Sequence, residues 1–187
     1  MKSNYNLDII HSFVHDYYLS KFVQEFRAID LGLIDELSNL IVDVAQRGRK
    51  FFAFGNGGSE AIAGILIHLL EKSFPFDFKF DAFGPPLSHE IIDKKNEKLF
   101  FDRIKRSGRR GDLVFLISAS GDSLNINEVS DLCCRLGIIT ISLSGRGAVV
   151  NGPSAARYNI VFDLNDQQIL EDVTLAVVYL LIIFAKN

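Results

Sequence analysis

The sequence predicts an α/β three-layer αβα sandwich with a five-stranded parallel sheet, preceded by two extra N-terminal helices. Three observations carry this expectation. Strand candidates such as "GDLVFLIS" are continuously apolar rather than alternating, as in a sheet covered on both faces. Helical patterns separate the strand candidates, which is the order of βα units. Two of the strand-to-helix junctions, "GNGGSE" and "SASGDS", are short turns rich in glycine and serine.

Each element follows from its residues. Residues 7–29 place Ile10, Phe13, Val14, Tyr17, Tyr18, Phe22 and Phe26 near helical spacing. Residues 31–47 set Ile34, Leu37, Ile41 and Val44 on one helical face. "RGRK" delivers the chain into "FFAFG", a short strand, and a helix follows the glycine turn. "FKFDAFG" is a second strand, ended by Gly84-Pro85-Pro86. Residues 91–110 read as irregular chain, a charged surface helix and a turn. "GDLVFLIS" is the third strand, "LNINEVSDLCCRLG" a helix stopping at Gly137, and "IITISLSG" the fourth strand. "YNIVFDL" and "DQQILEDVTLAVVYLLIIFAK" supply a fifth strand and a closing helix. One domain over residues 1–187 is expected, with helices in 1–48 and the α/β core in 49–187.

A chain of 187 residues, 48% of them apolar, is long enough for a real core. Its net charge of −3 gives no general footprint for nucleic acid or an anionic membrane, so an anion site has to be local. Lys94, Lys95 and the cluster from Arg103 to Arg110 are interspersed with acids and aromatics, as on a solvated helix. Cys133 and Cys134 are adjacent, hence poor disulfide partners, and no further cysteine is available for a zinc cluster. The opening "MKSNYNLDIIHSFVHDYY" has charges and histidines inside its apolar pattern and does not read as a signal peptide. The uncharged run from Val173 to Ala185 is too short to span a bilayer and reads as a buried helix. A soluble, cytoplasmic protein is expected. The apolar closing helix and the Phe-rich N-terminal helices exceed what one small core needs, which points to a homodimer or homotetramer.

The two glycine–serine loops are where a ligand would sit, because parallel sheets bind ligands outside the carboxyl ends of their strands. Gly57 and Gly58 let the backbone approach an anion, and Ser59 is expected to cap the following helix. Ser118, Ser120 and Ser123 add hydroxyls around Gly121. Hydroxyls and helix N-termini together suit a phosphate monoester without Lys or Arg. A dinucleotide site is the weaker reading, since Glu60 stands where the third glycine of G-x-G-x-x-G belongs. P-loop chemistry fails because no G-K-[ST] occurs. No cofactor is expected.

"FGNGGSEAIAGILIHLL" resembles the "GNGGSAADAQHFAAEL" type segment of phosphoheptose isomerases, and "LISASGDSLNINEVSDLCCRLGIITISLSG" resembles their "ISTSGNSxNV" segment. Both segments belong to the sugar isomerase (SIS) domain family, which includes the DnaA-initiator-associating proteins. The resemblance runs from about Ala45 to the C-terminus and implies a sugar-phosphate ligand, with a protein partner as a further possibility. It implies phosphate-end contacts at Asn56, Ser59, Ser118, Ser120 and Ser123, while Ala119 replaces the usual Thr.

Moving a carbonyl between C1 and C2 of a sugar phosphate needs a base and a carbonyl-polarising group. In phosphoheptose isomerases a His and a Glu from the first helix, and a Gln and a His from the last, form a metal and proton-transfer centre. By resemblance these fall on Ile65, Leu69, Leu170 and Val178, and aliphatic side chains neither move protons nor ligate metals. No metal is expected. A displaced catalytic set would draw on His68, His89, Glu60 or Glu90, the last three lying in or near loops. The expectation is a phosphosugar-binding protein of doubtful isomerase activity. The alternatives are an active aldose–ketose isomerase and a non-catalytic oligomeric regulator.

Overall fold

The computed structural model describes residues 7–74, 80–82, 98–145 and 156–186. Its elements are α1 (Leu7–Arg27), α2 (Leu31–Gln46), β1 (Phe51–Gly55), α3 (Gly58–Ser73), β2 (Phe80–Ala82) and α4 (Leu99–Ser107), followed by β3 (Leu113–Ser118), α5 (Leu124–Leu136), β4 (Ile139–Ser144), β5 (Tyr158–Val161) and α6 (Gln167–Ala185). The five strands form one parallel sheet in the order β2-β1-β3-β4-β5. Both the layering and the strand number agree with the sequence.

The continuous apolar strands have a direct explanation. Successive side chains point to opposite faces of a strand, and here each face meets helices. Phe51, Ala53, Leu113, Phe115 and Ile117 join the core under α2, α3 and α6, and Phe52, Phe54, Val114 and Leu116 join the core under α4 and α5. Every residue of β1 and β3 is buried.

Helix ends are set by local chemistry. Asp30 accepts from the backbone N–H groups of Gly32 (2.8 Å) and Leu33 (3.2 Å), starting α2. Asp166 does the same for α6 through Gln168 (3.1 Å) and Ile169 (3.2 Å). Gly137 ends α5 in the left-handed conformation (φ 68°), the stop expected from the sequence.

Three regions differ in detail from the sequence reading. Only Phe80–Ala82 of "FKFDAFG" is a described strand, and the rest of that stretch lies outside the described residues. β5 is shorter than "YNIVFDL" because its one neighbour, β4, ends at Ser144 opposite Val161; just beyond, the Asp163 N–H donates to the Glu25 carboxylate of α1 (3.1 Å). α6 has 19 residues and is long and apolar enough to cross a membrane by length and composition, contrary to the estimate from its uncharged run. It is nonetheless a core helix: Val173, Val177, Val178 and Leu181 are fully buried against the α2–α3 side. The Ser38 hydroxyl of α2 also donates to the Leu181 carbonyl (3.0 Å).

α1 lies alongside α6, where the Tyr18 hydroxyl donates to Asp172 (2.6 Å). Tyr18 and Phe22 pack against the core, while Val14 and Tyr17 stay 57% and 43% exposed. The helices after β1 and β3, two adjacent strands, depart to opposite faces of the sheet. The connection order therefore reverses between these strands, and a crevice opens at their carboxyl ends.

Candidate functional site

The first loop is built from backbone necessity. The Ser59 N–H donates to the Asn56 carbonyl (3.1 Å), closing a four-residue turn. Gly57, its second residue, has φ 57° and ψ −123°, a corner reserved for glycine. Strand and helix also approach closely here. A Cβ on Gly55 would lie 2.5 Å from the Ser59 carbonyl carbon and oxygen. The expected capping role of Ser59 is corrected: Gly57 is the N-cap of α3, and the helix has no side-chain cap bond. The glycine turn starts the helix before Ser59, leaving that residue inside the first turn with 3% exposure.

A carboxylate other than Glu60 reaches this loop from far along the chain. Glu171 of α6 lies against Gly58, where a Cβ would fall 2.6 Å from its Cδ. Gln167 donates to the same carboxylate (3.3 Å). Gly58 leaves room for that side chain, whose flexible end would have to move aside for any larger residue here.

The second loop is built from hydroxyls. Ser118 Oγ accepts from the Gly121 N–H (3.1 Å) and lies 3.2 Å from Ser123 Oγ. Gly121 turns the chain at φ 72°. Ser123 is the N-cap of α5, its carbonyl accepting from Ile126 (3.1 Å) and Asn127 (3.0 Å) while its hydroxyl faces Ser118. Ser120 is exposed, and its hydroxyl accepts from Asp122 N–H (3.1 Å). Across the tip of β4, the Gly145 N–H donates to the Ser118 (3.3 Å) and Ala119 (3.2 Å) carbonyls.

A reciprocal amide pair ties the two loops together. Asn56 Nδ2 donates to Asn125 Oδ1 (3.0 Å), and Asn125 Nδ2 donates to Asn56 Oδ1 (2.9 Å). Asn125 is 8% exposed and stands in the first turn of α5. Its residue type, an Asn where a helix meets a serine loop, was the only available signal, because its partner lies 69 positions earlier. A cleft of about 320 Å³ opens where the serine loop meets the ends of β4 and β5 and the start of α6, lined by Ala119, Ser120, Gly145, Asp163, Gln167 and Leu170, among others; of the predicted site residues only Ser120 lines it. That is the size of a small phosphorylated ligand.

The ionisable candidates are less well placed. His68 lies on the exposed face of α3, nine residues beyond Ser59, or about 13 Å along the axis. Glu60 is buried (8% exposed) in the first turn of α3 and lines a small space with Gly55 and Phe100. His89 and Glu90 lie outside the described residues. The four positions implied for a metal centre are aliphatic, and three of them are packed, Ile65 being half-buried. Leu170 and Val178 are buried in the core, and Leu69 packs against it. These residues do not fit a divalent ion, and among the described residues no cluster of three His, Cys, Asp or Glu side chains supplies another site.

Fold and site together define a doubly wound parallel α/β protein with paired glycine and serine loops at its switch point. The chain belongs to the SIS domain family, whose sequence model matches residues 17–145. It is 33% identical over 125 residues to a phosphoheptose isomerase of Aneurinibacillus thermoaerophilus, covering 62% of this chain and 61% of that enzyme. A probable phosphoheptose isomerase of Thermoplasma volcanium is 26% identical over 163 residues, covering 83% of this chain and 82% of that protein. The structure of a phosphoheptose isomerase from Francisella tularensis superposes with a TM-score of 0.78 at 20% identity, covering 99% of this chain and 98% of the other. The chain is thus phosphoheptose isomerase-like in sequence and fold.

Proposed function

We propose that this protein binds a sugar phosphate at the carboxyl ends of β1 and β3 and does so without metal-assisted isomerisation. The phosphate is held by the Ser118, Ser120 and Ser123 loop with the Asn56–Ser59 turn beside it, and the sugar extends into the adjoining cleft. The observation that carries this reading is the combination of converging Ser118 and Ser123 hydroxyls with an aliphatic α3–α6 contact. The hydroxyls suit a phosphate, and Leu170 and Val178 offer no proton carrier. The protein is read as soluble and cytoplasmic, like a metabolic or regulatory phosphosugar binder. Exposed apolar side chains on α1 (Val14, Tyr17, Val23) and α6 (Tyr179, Ile183) support a homodimer or homotetramer.

The test is calorimetry and thermal shift with sedoheptulose 7-phosphate and a panel of pentose and hexose phosphates, alongside a turnover assay. A melting-temperature rise that is lost in Ser118→Ala, without turnover, is the expected result. A ligand that binds equally well to Ser118→Ala and Ser123→Ala refutes the placement.

One observation favours an isomerase instead. The Glu171 carboxylate stands against the glycine loop and would be the base that moves a proton between C2 and C1. Turnover in the wild type that disappears in Glu171→Gln while binding persists would establish that reading over the first.

A further inference from the structure

The end of the sheet opposite the cleft has different chemistry. Phe51, Leu113 and Ile139 are aligned in register, so the segments entering β1, β3 and β4 meet at one edge. Asp112, 2% exposed, stitches them together. Its carboxylate accepts from the backbone N–H groups of Lys50 (3.0 Å) and Arg109 (2.8 Å), and its carbonyl accepts from Ile139 (2.8 Å). The Gly111 N–H donates to the Gly137 carbonyl (3.1 Å), closing the gap between the turns.

The segments that meet there carry six cations: Arg49, Lys50, Lys105, Arg106, Arg109 and Arg110. None has a carboxylate partner among the described residues, whereas the nearby Arg47 and Arg135 are paired with Asp43 (2.9 Å) and Asp131 (2.5 Å). The partners the six do have are neutral carbonyls, as with Lys50 Nζ to Ser107 (3.0 Å) and Arg109 to Gly108 (2.8 Å). Such bonds orient the side chains without cancelling their charge, and the single Asp112 carboxylate, engaged by backbone N–H groups, leaves the edge with a net positive charge. Two glycines seat the stems. A Cβ on Gly111 would stand 3.5 Å from Arg49 Nε, and one on Gly137 would stand 3.2 Å from Arg110 Cγ. Leu136, the last residue of α5, is 39% exposed beside Gly137 and puts an apolar contact within the basic surface.

We propose that this edge docks an acidic segment of a partner protein, with Leu136 receiving an apolar side chain of that segment. The arginines supply charge-assisted recognition of carboxylates, and the distance from the cleft leaves sugar-phosphate binding independent. Two features favour a protein over a nucleic acid. No exposed aromatic ring among the described residues stands at this edge to stack a base. The net charge of −3 opposes a long polyanion while permitting a short local one.

The experiment is fluorescence anisotropy with a labelled peptide of Glu and Asp residues around a single Leu. Binding is expected at about 50 mM salt and should be lost near about 300 mM. The triple variant Arg49→Glu, Arg106→Glu, Arg110→Glu should weaken it about tenfold or more, and Leu136→Ser several-fold. Arg27→Glu, at the other end of the molecule, should leave it within about twofold. If the triple variant melts early, Arg→Gln replacements at the same positions carry the test. The proposal falls if the peptide does not bind at low salt, or if the triple variant binds as the wild type does. A peptide lacking Leu that binds equally well removes the anchor. An oligonucleotide that binds more tightly through the same arginines assigns the surface to nucleic acid.

Discussion

The two loops at the carboxyl end of the sheet look alike in sequence and are held in different ways. The glycine loop is filled by the protein itself. Gly55 receives the Ser59 backbone, Gly57 makes a turn forbidden to other residues, and Gly58 receives the Glu171 carboxylate. The serine loop is held by its own hydroxyls and borders the cleft. A small residue in a loop is thus no guide to ligand contact, because close packing of the chain uses the same space. The first loop gives the site its rigidity, and we assign most of the ligand contact to the second.

The largest expected effect tests the first half of this contrast. Gly55→Ala pushes a methyl into the Ser59 backbone, which has no flexible end to yield, and should destabilise the fold by about 3 kcal/mol in denaturant melts. A loss under about 1 kcal/mol would show that strand and helix separate easily. Next comes the amide pair joining the loops. Asn125→Leu leaves the buried side of Asn56 without its partner and should cost about 1–3 kcal/mol. A double-mutant cycle with Asn56→Ala should show coupling of about 1 kcal/mol, and strict additivity would mean that the loops are independent.

On the ligand side, Ser120→Ala, which removes an exposed hydroxyl lining the cleft, should weaken sugar-phosphate binding by about tenfold, or about 1.4 kcal/mol, with little change in melting temperature. Equal losses in stability and affinity would blur the division between the loops. The smallest effect concerns α1. Tyr18 donates to Asp172, and that bond, with burial and the charge of Asp172 adding, raises its pKa above the usual tyrosine value. A raised folded-state pKa makes the contribution present below the unfolded value of about 10 and lost as pH rises through the folded one. Tyr18→Phe should therefore cost under about 1 kcal/mol at neutral pH, since the pair is exposed, and its effect should vanish in strongly alkaline buffer.

Periodicity and breakers made the strands and most helices readable in advance. "GDLVFLIS" is apolar throughout because each face of β3 meets a helical layer, and Gly137 stops α5 in the conformation glycine favours. The serine loop was legible for a related reason, since its hydroxyls bond to groups within five positions. Asn125 and Glu171 were not legible as site-builders. Their partners, Asn56 and Gly58, lie far away in the chain, and nothing local in either residue encodes that meeting. His68 presents the opposite case. Its type suggested chemistry, while its place in the helical repeat puts it on the exposed face.

α6 has a consequence for how the chain is made. It supplies Ile169, Leu170, Val173, Val177, Val178, Leu181 and Ile182 to the larger core, and the Leu181 carbonyl satisfies Ser38 of α2. During vectorial synthesis, α2, α3 and the strands emerge before the helix that covers them. For that interval the nascent chain carries an open apolar seam on one side of its sheet, while the opposite side, closed by α4 and α5, is already complete. Folding on the ribosome is accordingly lopsided, and the exposed half is where a chaperone would bind or misassembly would begin.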